Sequence, residues 1–310
     1  QQITHSHDVV QISNLDRHEG EMVQLDGEIH QIKQTSGPTL FHVGDPTGVV
    51  PCAAFERAGI RSNPELELGD LVHVVGEVER RNDSLQLEVD AMTALDSDRG
   101  ETVRHRHDRA IDELVGVSDF EPLIEWDALA KLQPDLEAVA ARLRRAVLSN
   151  RQIVIRHHAD TDGMCASLPL ERALERFIER THWDSDASRH LLDRRPSKAP
   201  YYEIEDVTRD LEAALANRAR HGQRLPLLIM IDNGSTVEDV PAYEQLETYD
   251  LPVVVIDHHS PDPDAVSPYL AEHVNPYLHD EDYAVTSGML AVEIARMIEP
   301  DLTDAVEHVP

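Results

Sequence analysis

Hydrophobic and polar positions alternate from residue 22 to residue 90, the period of half-buried strands. Val23, Leu25, Ile29 and Ile32 are set among polar residues up to a turn at Ser36-Gly37-Pro38. Thr39 to Val43 forms a second run, closed by Gly44-Asp45-Pro46-Thr47-Gly48, and Val49 to Ala54 a third. After an excursion through residues 55 to 68, Leu71 to Glu79 puts Val72, Val74 and Val78 on one face. Leu85, Leu87 and Val89 follow a turn at Asn82-Asp83. Five short strands with one longer connection predict a small barrel. From residue 126 the period lengthens, and Leu129, Leu132, Leu136, Val139, Leu143 and Val147 recur at helical spacing through residue 149. Beyond Arg151, apolar runs at Ile153 to Ile155, Leu227 to Ile231 and Val253 to Ile256 read as parallel strands buried on both faces. Helical stretches at 164–180, 206–220, 236–248 and 286–298 lie between or after them. The second half is therefore expected to be α/β, a doubly wound and mostly parallel sheet.

The order and spacing of the first five strands resemble an OB-fold, a barrel that often holds single-stranded nucleic acid. Stacking on bases needs aromatics, and only Phe41 and Phe55 are available, each equally suited to the barrel core. The expected division is residues 1–95 for the barrel, 96–125 for a linker and 126–310 for the α/β domain. Within the linker, His105 and His107 have the spacing of metal ligands but read more simply as solvated histidines.

Composition narrows the setting. Acidic residues number 59 against 28 basic ones, for a net charge of −31, and only Lys33, Lys131 and Lys198 are lysine. Disorder is the usual reading of such acidity, but 41% hydrophobic residues in clean strand patterns argue against it. A carboxylate-rich surface suits a halophilic cytoplasm, where a Debye length of roughly 3 Å screens self-repulsion. Cys52 and Cys165 form neither a disulfide framework nor a CxxC zinc pair. No stretch approaches the roughly 18 apolar residues of a membrane span, and no signal-peptide core is present, so a cytoplasmic protein is expected. A start at Gln1 and a stop at Pro310 suggest a fragment.

Candidate chemistry sits where the buried strands stop. The first ends in His158-Ala159-Asp160-Thr161-Asp162-Gly163, the second in Asp232-Asn233-Gly234 and the third in Asp257-His258-His259. One acidic strand end is an ordinary helix cap. Three on one rim crowd carboxylates that raise one another's pKa, and a divalent cation resolves that conflict. Oxygen and imidazole donors without thiolate favour manganese or magnesium over structural zinc. In an extended segment His158, Asp160 and Asp162 point the same way, about 6.6 Å apart, suited to two ions rather than one.

These residues resemble motifs one to three of the DHH phosphoesterase family, over roughly residues 150 to 300. With the OB-like module the chain looks most like RecJ-like single-strand exonucleases of the archaeal type. By position, the resemblance implies that His158 and Asp160 hold one Mn²⁺, that Asp162 and His258 hold a second, and that Asp232 bridges them. Mg²⁺ is the alternative ion. Asp257 would orient the neighbouring histidines, and His259 would contact the scissile phosphate. The family's fourth-motif aspartate and C-terminal substrate domain are expected beyond residue 310, with Asp301 and Asp304 candidates by proximity only.

The implied activity is metal-dependent hydrolysis of single-stranded DNA or RNA. The alternatives are a phosphodiesterase for short oligonucleotides or cyclic dinucleotides, and a non-catalytic scaffold for replication or repair proteins. Against the net charge, Arg142, Arg144, Arg145, Arg151, Arg156, Arg194, Arg195 and Lys198 are the candidate phosphate contacts or, individually, ordinary solvated residues. Relief of carboxylate repulsion is expected to leave Asp162→Ala and Asp232→Ala at least as stable as the parent.

Overall fold

A computed structural model describes residues 9–117 and 120–306; the outermost residues of the expected domain bounds, 1–8 and 307–310, lie outside it. Strands β1 (Met22–Gln34), β2 (Thr39–Asp45), β3 (Gly48–Ala54), β4 (Leu71–Arg81) and β5 (Ser84–Ala94) close a barrel in the order β1-β2-β3-β5-β4. All its pairs are antiparallel except the short β3–β5 seam that closes it. Val23, Leu25, Ile29, Val72, Val74, Leu85 and Leu87 fill the interior, as alternation requires. A register shift between Ile29 and Gln31 lets β1 serve both β2 and β4. Phe41 is fully buried in this core, whereas Phe55 is 64% exposed.

The expected linker is mostly helix, α1 (Ser97–Val115). Its buried side is short, Val103, His107 and Val115, with Ile111 packed on the core beside them, and polar groups add to its hold. Asp96 accepts the Arg99 amide as N-cap (2.9 Å), and Arg99 pairs with buried Asp26 of β1. His107 is buried on this helix while His105 is exposed. Residues two apart on a helix face different ways, so the two do not form a ligand pair.

After α2 (Asp127–Leu148), five parallel strands form a sheet in the order β10-β9-β8-β6-β7. They are β6 (Ile153–His158), β7 (Leu192–Ser197), β8 (Leu227–Ile231), β9 (Val253–Ile256) and β10 (Glu272–Val274). The chain also forms α3 (Thr161–Thr181), α4 (Ala187–Leu191), α5 (Ile204–His221), α6 (Val240–Glu247), α7 (Pro263–Val266), α8 (Ser287–Ile298) and α9 (Thr303–Val306). Ile153, Ile155, Ile229 and Ile256 face α2, α3 and α8, while Val154, Leu228, Met230 and Val255 face α5 and α6. Strands buried on both faces carry continuous apolar runs, which is why the central three are legible. The edge strands β7 (LDRRPS) and β10 (EHV) have no such run.

The barrel docks on the amino-terminal edge of this sheet, against the ends of α2, α3 and α5. Trp183 donates its indole N–H to the Ile12 carbonyl (2.7 Å), and its backbone bonds both Val49 and Leu85. Gln31 Nε2 donates to the His221 carbonyl (2.6 Å) and its Oε1 accepts from Asn150 (2.9 Å). Gly222, at φ 64°, brings its Cα against the carbonyl of Ile32, leaving no room for a side chain. The 21 residues of α3, about 31 Å of helix, run from the opposite edge to this junction.

Candidate metal centre

The opposite edge gathers the three motif segments. β6 ends at His158, and Asp160 caps α3 by accepting the Gly163 amide at 2.9 Å. A side chain at Gly163 would collide with the His158 carbonyl, so the tight turn requires glycine. β8 runs into Asp232, which takes a left-handed φ of 59°, a conformation that Asp and Asn tolerate best after glycine. β9 runs into Asp257, His258 and His259.

The side chains then converge. His158 Nδ1 lies 3.1 Å from Asp160 Oδ2 and 3.4 Å from Asp232 Oδ2. His258 Nε2 lies 3.3 Å from Asp232 Oδ1 and 3.4 Å from Asp162 Oδ2. His259 Nδ1 stands 3.9 Å from Asp232 Oδ1. Two donor groups result, His158–Asp160–Asp232 and Asp232–His258–His259, each with its ligand atoms within 4.8 Å of one another. Asp232 belongs to both. Asp162, expected to share an ion with His258, borders the second group but is engaged elsewhere. Its Oδ2 accepts the Ser287 amide (3.0 Å) and its Oδ1 the Gly288 amide (2.9 Å).

Electrostatics shows what the cluster lacks. Burial raises the Asp232 carboxyl above its ordinary value, and Asp162 and Asp160 add to that against the hydrogen bond from His258. The same hydrogen bond pushes His258 up to about 9 against the effect of burial. The imidazolium proton thus supplies cationic charge that the carboxylates demand. Even so, His158 Nδ1, Asp232 Oδ2 and Asp257 Oδ2 are buried without a hydrogen-bond partner, a condition costing about 1–3 kcal/mol per group. A divalent cation fits this set of hard donors.

Groups around the cluster fix its members. The Tyr283 carbonyl lies 3.0 Å from His258 Nδ1, which turns Nε2 toward Asp232. Asp257 Oδ1 accepts the amides of His258 (2.8 Å) and His259 (3.3 Å) and lies 2.7 Å from His259 Nδ1. Sequence reasoning missed Ser287, whose buried hydroxyl donates to Asp232 Oδ1 at 3.0 Å. Its only local signal was the start of a helix after Thr286.

Other candidates fall outside the cluster. Arg142 pairs with Glu272, Arg145 with Asp112, Arg156 and Arg195 with Asp210, and Arg194 with Glu171. Arg144 donates to carbonyls at the end of α8, including those of Met297 and Ile298. Of the expected contacts, Arg144, Arg151 and Lys198 form no ion pair among the described residues, and Arg144 is engaged by those carbonyls. Asp301 and Asp304 follow the far end of α8, a helix of about 18 Å whose first turn touches the centre.

Known proteins share both halves. Residues 23–95 match the OB-fold nucleic acid binding domain, and residues 152–306 match the DHH family, N-terminal domain. Uncharacterized protein MJ1198 of Methanocaldococcus jannaschii is 43% identical over 303 residues, covering 96% of this chain. The chain spans 40% of that protein's length. A solved DHH domain, from a protein described as belonging to a family of ribosomal proteins, is 40% identical with a TM-score of 0.66. That match covers 69% of this chain and 50% of the other. Exonuclease RecJ bound to manganese aligns at 20% identity over 54% of this chain and 38% of its own, with a TM-score of 0.40, too distant to add weight. The family match takes in the strand ends and α8 together, over residues 152–306 of 310, and the chain belongs to the DHH family.

Proposed function

We propose that this protein is a divalent-metal-dependent phosphodiesterase acting on single-stranded DNA or RNA, with Mn²⁺ as its ion and Mg²⁺ as the alternative. The observation that carries the reading is Asp232, shared by two donor groups and holding a buried oxygen without a partner. His158 and Asp160 would hold one ion, Asp162 and His258 the other, with Asp232 common to both. Bound there, two ions would supply a water nucleophile at neutral pH and offset charge developing on the phosphate.

The chain's own residues do the positioning. Ser287 fixes one oxygen of Asp232, which leaves the other facing His158. Asp257 raises the His259 imidazole above its ordinary pKa against the effect of burial, which favours the cationic ring beside a phosphate. The Tyr283 carbonyl keeps His258 Nε2 directed inward.

Asp232→Asn tests this most directly. Asn tolerates the same left-handed backbone, so the variant keeps its fold but loses Mn²⁺-dependent cleavage of end-labelled single strands. Parent-level cleavage by a folded Asp232→Asn protein would remove the reading. A second reading has an observation of its own: the barrel's contacts lie at the far edge of the sheet. Short oligonucleotides or cyclic dinucleotides would therefore meet the same centre unaided, and a substrate-length series separates the two. The acidic surface and the family suit a cytoplasm with concentrated salt and work alongside replication or repair proteins.

A further inference from the structure

Tyr283 is 68% exposed, the most exposed of the large hydrophobic side chains among the described residues. Its backbone, by contrast, is fixed against the metal centre, with the carbonyl 3.0 Å from His258 Nδ1. The segment that carries it is braced on both sides. Before it, His279 Nε2 lies 2.6 Å from Asp135 of α2, and Glu281 pairs with Lys131 of the same helix. After it, the Ala284 amide donates to Asp282 Oδ1 (2.8 Å), Val285 is buried in the core, and Thr286 caps α8 by accepting the Met289 amide (3.3 Å). Both ends of the segment also hold residues of the centre: Asn275 Nδ2 donates to the His259 carbonyl (2.9 Å) and the Ser287 hydroxyl to Asp232 (3.0 Å). A loop fixed in this way loses little freedom when a ligand covers its exposed ring, so the ordering cost of that contact is small.

The place of the ring defines what covers it. A phosphodiester hydrolysed at the Asp232 cluster lies against the His258 imidazole, whose other nitrogen Tyr283 holds. The flat groups nearest to such a phosphate are the bases of the two nucleosides it joins. An aromatic ring accepts the face of any base without regard to sequence. It also adds no charge to a site already crowded with carboxylates. We propose that Tyr283 stacks on the base of a nucleoside flanking the scissile phosphate, which makes an unpaired base part of what the centre recognises. The inference rests on the phosphodiesterase reading above and adds a determinant to it. The unpaired state is sensed within one nucleotide of the cleaved bond and needs no contact with the barrel.

Dinucleotides test this with Mn²⁺ present: one carries both bases, and in two others a tetrahydrofuran residue replaces the nucleoside on the 5′ or the 3′ side of the phosphate. For the parent, loss of one of the two bases is expected to lower kcat/KM at least about fivefold, the lower end for stacking a base on an aromatic. The loss is expected in KM. Tyr283→Phe keeps that preference. Tyr283→Leu retains an apolar side chain and the same carbonyl but has no ring face, and it cleaves the three substrates without preference. The readout is a ratio within one protein, so a general loss of activity through a displaced His258 does not mimic it. Tyr249→Leu is the control, at a 40% exposed tyrosine between α6 and β9 on the edge of the sheet remote from the centre, and it keeps the parent's ratio. Equal rates on all three substrates by the parent would overturn the proposal and leave the phosphodiesterase reading in place. So would a full preference in Tyr283→Leu, or its loss in Tyr283→Phe. A parent without Mn²⁺-dependent cleavage of these substrates or of longer strands would remove that reading, and this inference with it.

Discussion

Asp162 illustrates how one residue answers to two forces. Crowded carboxylates alone would make its removal neutral or stabilising. The structure adds an opposing effect, because both its oxygens accept amides from the first turn of α8. Losing such a cap costs about 1 kcal/mol. Asp162→Ala is therefore expected to unfold at lower denaturant while also losing Mn²⁺-dependent cleavage, and a stability equal to the parent's would show that repulsion dominates. Ser287 permits a finer test. Ser287→Ala frees the Asp232 oxygen it holds and is expected to weaken Mn²⁺ binding by about tenfold, within the range for groups that orient metal ligands. Titration followed by electron paramagnetic resonance reads this directly, and unchanged affinity would make Ser287 a packing residue only.

Among the elements, α8 links the centre to the far side of the domain. Its first turn holds Asp162 and Asp232, and its last carbonyls accept hydrogen bonds from Arg144 of α2. Arg144 also reaches the carbonyls of Leu114, Val115 and Gly116 where α1 ends. One guanidinium therefore ties three helices together. Arg144→Met keeps the apolar stem and removes those donors. It is expected to cost about 2 kcal/mol in urea unfolding, at the strength of hydrogen bonds from a charged group. A loss below about 0.5 kcal/mol, the smallest net value for one hydrogen bond, would mean that water replaces the guanidinium without penalty.

At the scale of the whole molecule, the barrel and the α/β domain share a buried junction. His182 lies within it, its Nε2 3.0 Å from the Val147 carbonyl, and burial lowers its pKa to about 4 from an ordinary 6.5. The folded state thus favours the neutral ring. Its contribution is fully present above about pH 6.5 and is lost as pH falls toward 4. The shift corresponds to about 3 kcal/mol. His182→Gln does not titrate, so the stability difference between parent and variant is expected to fall across that window. A constant difference from about pH 7 to about pH 4 would show that the junction opens to water around His182. The same junction argues that removing residues 1–95 does more than discard a binding module. It uncovers Trp183 and the ends of α2, α3 and α5, so the remaining domain is expected to melt at a lower temperature than the whole chain.

Local pattern by itself determined the barrel's five strands, the three central strands β6, β8 and β9, and the acidic and histidine residues that end them. Strands buried on one or both faces must carry periodic apolar residues, and the residues that follow such strands meet at one edge of a parallel sheet. Edge strands carry no such requirement, so β7 and β10 left no trace in the pattern. The α1 helix was equally hidden, because its buried side is short and a cap and ion pairs between distant residues add to its hold. Only the tertiary structure decided that Asp162 is held by α8, that Ser287 and the Tyr283 carbonyl fix Asp232 and His258, and that Phe55 rather than Phe41 faces solvent. It alone placed the barrel at the edge of the sheet remote from the metal centre. Each of these depends on contacts between residues far apart in the chain, which no local period of hydrophobic and polar positions encodes.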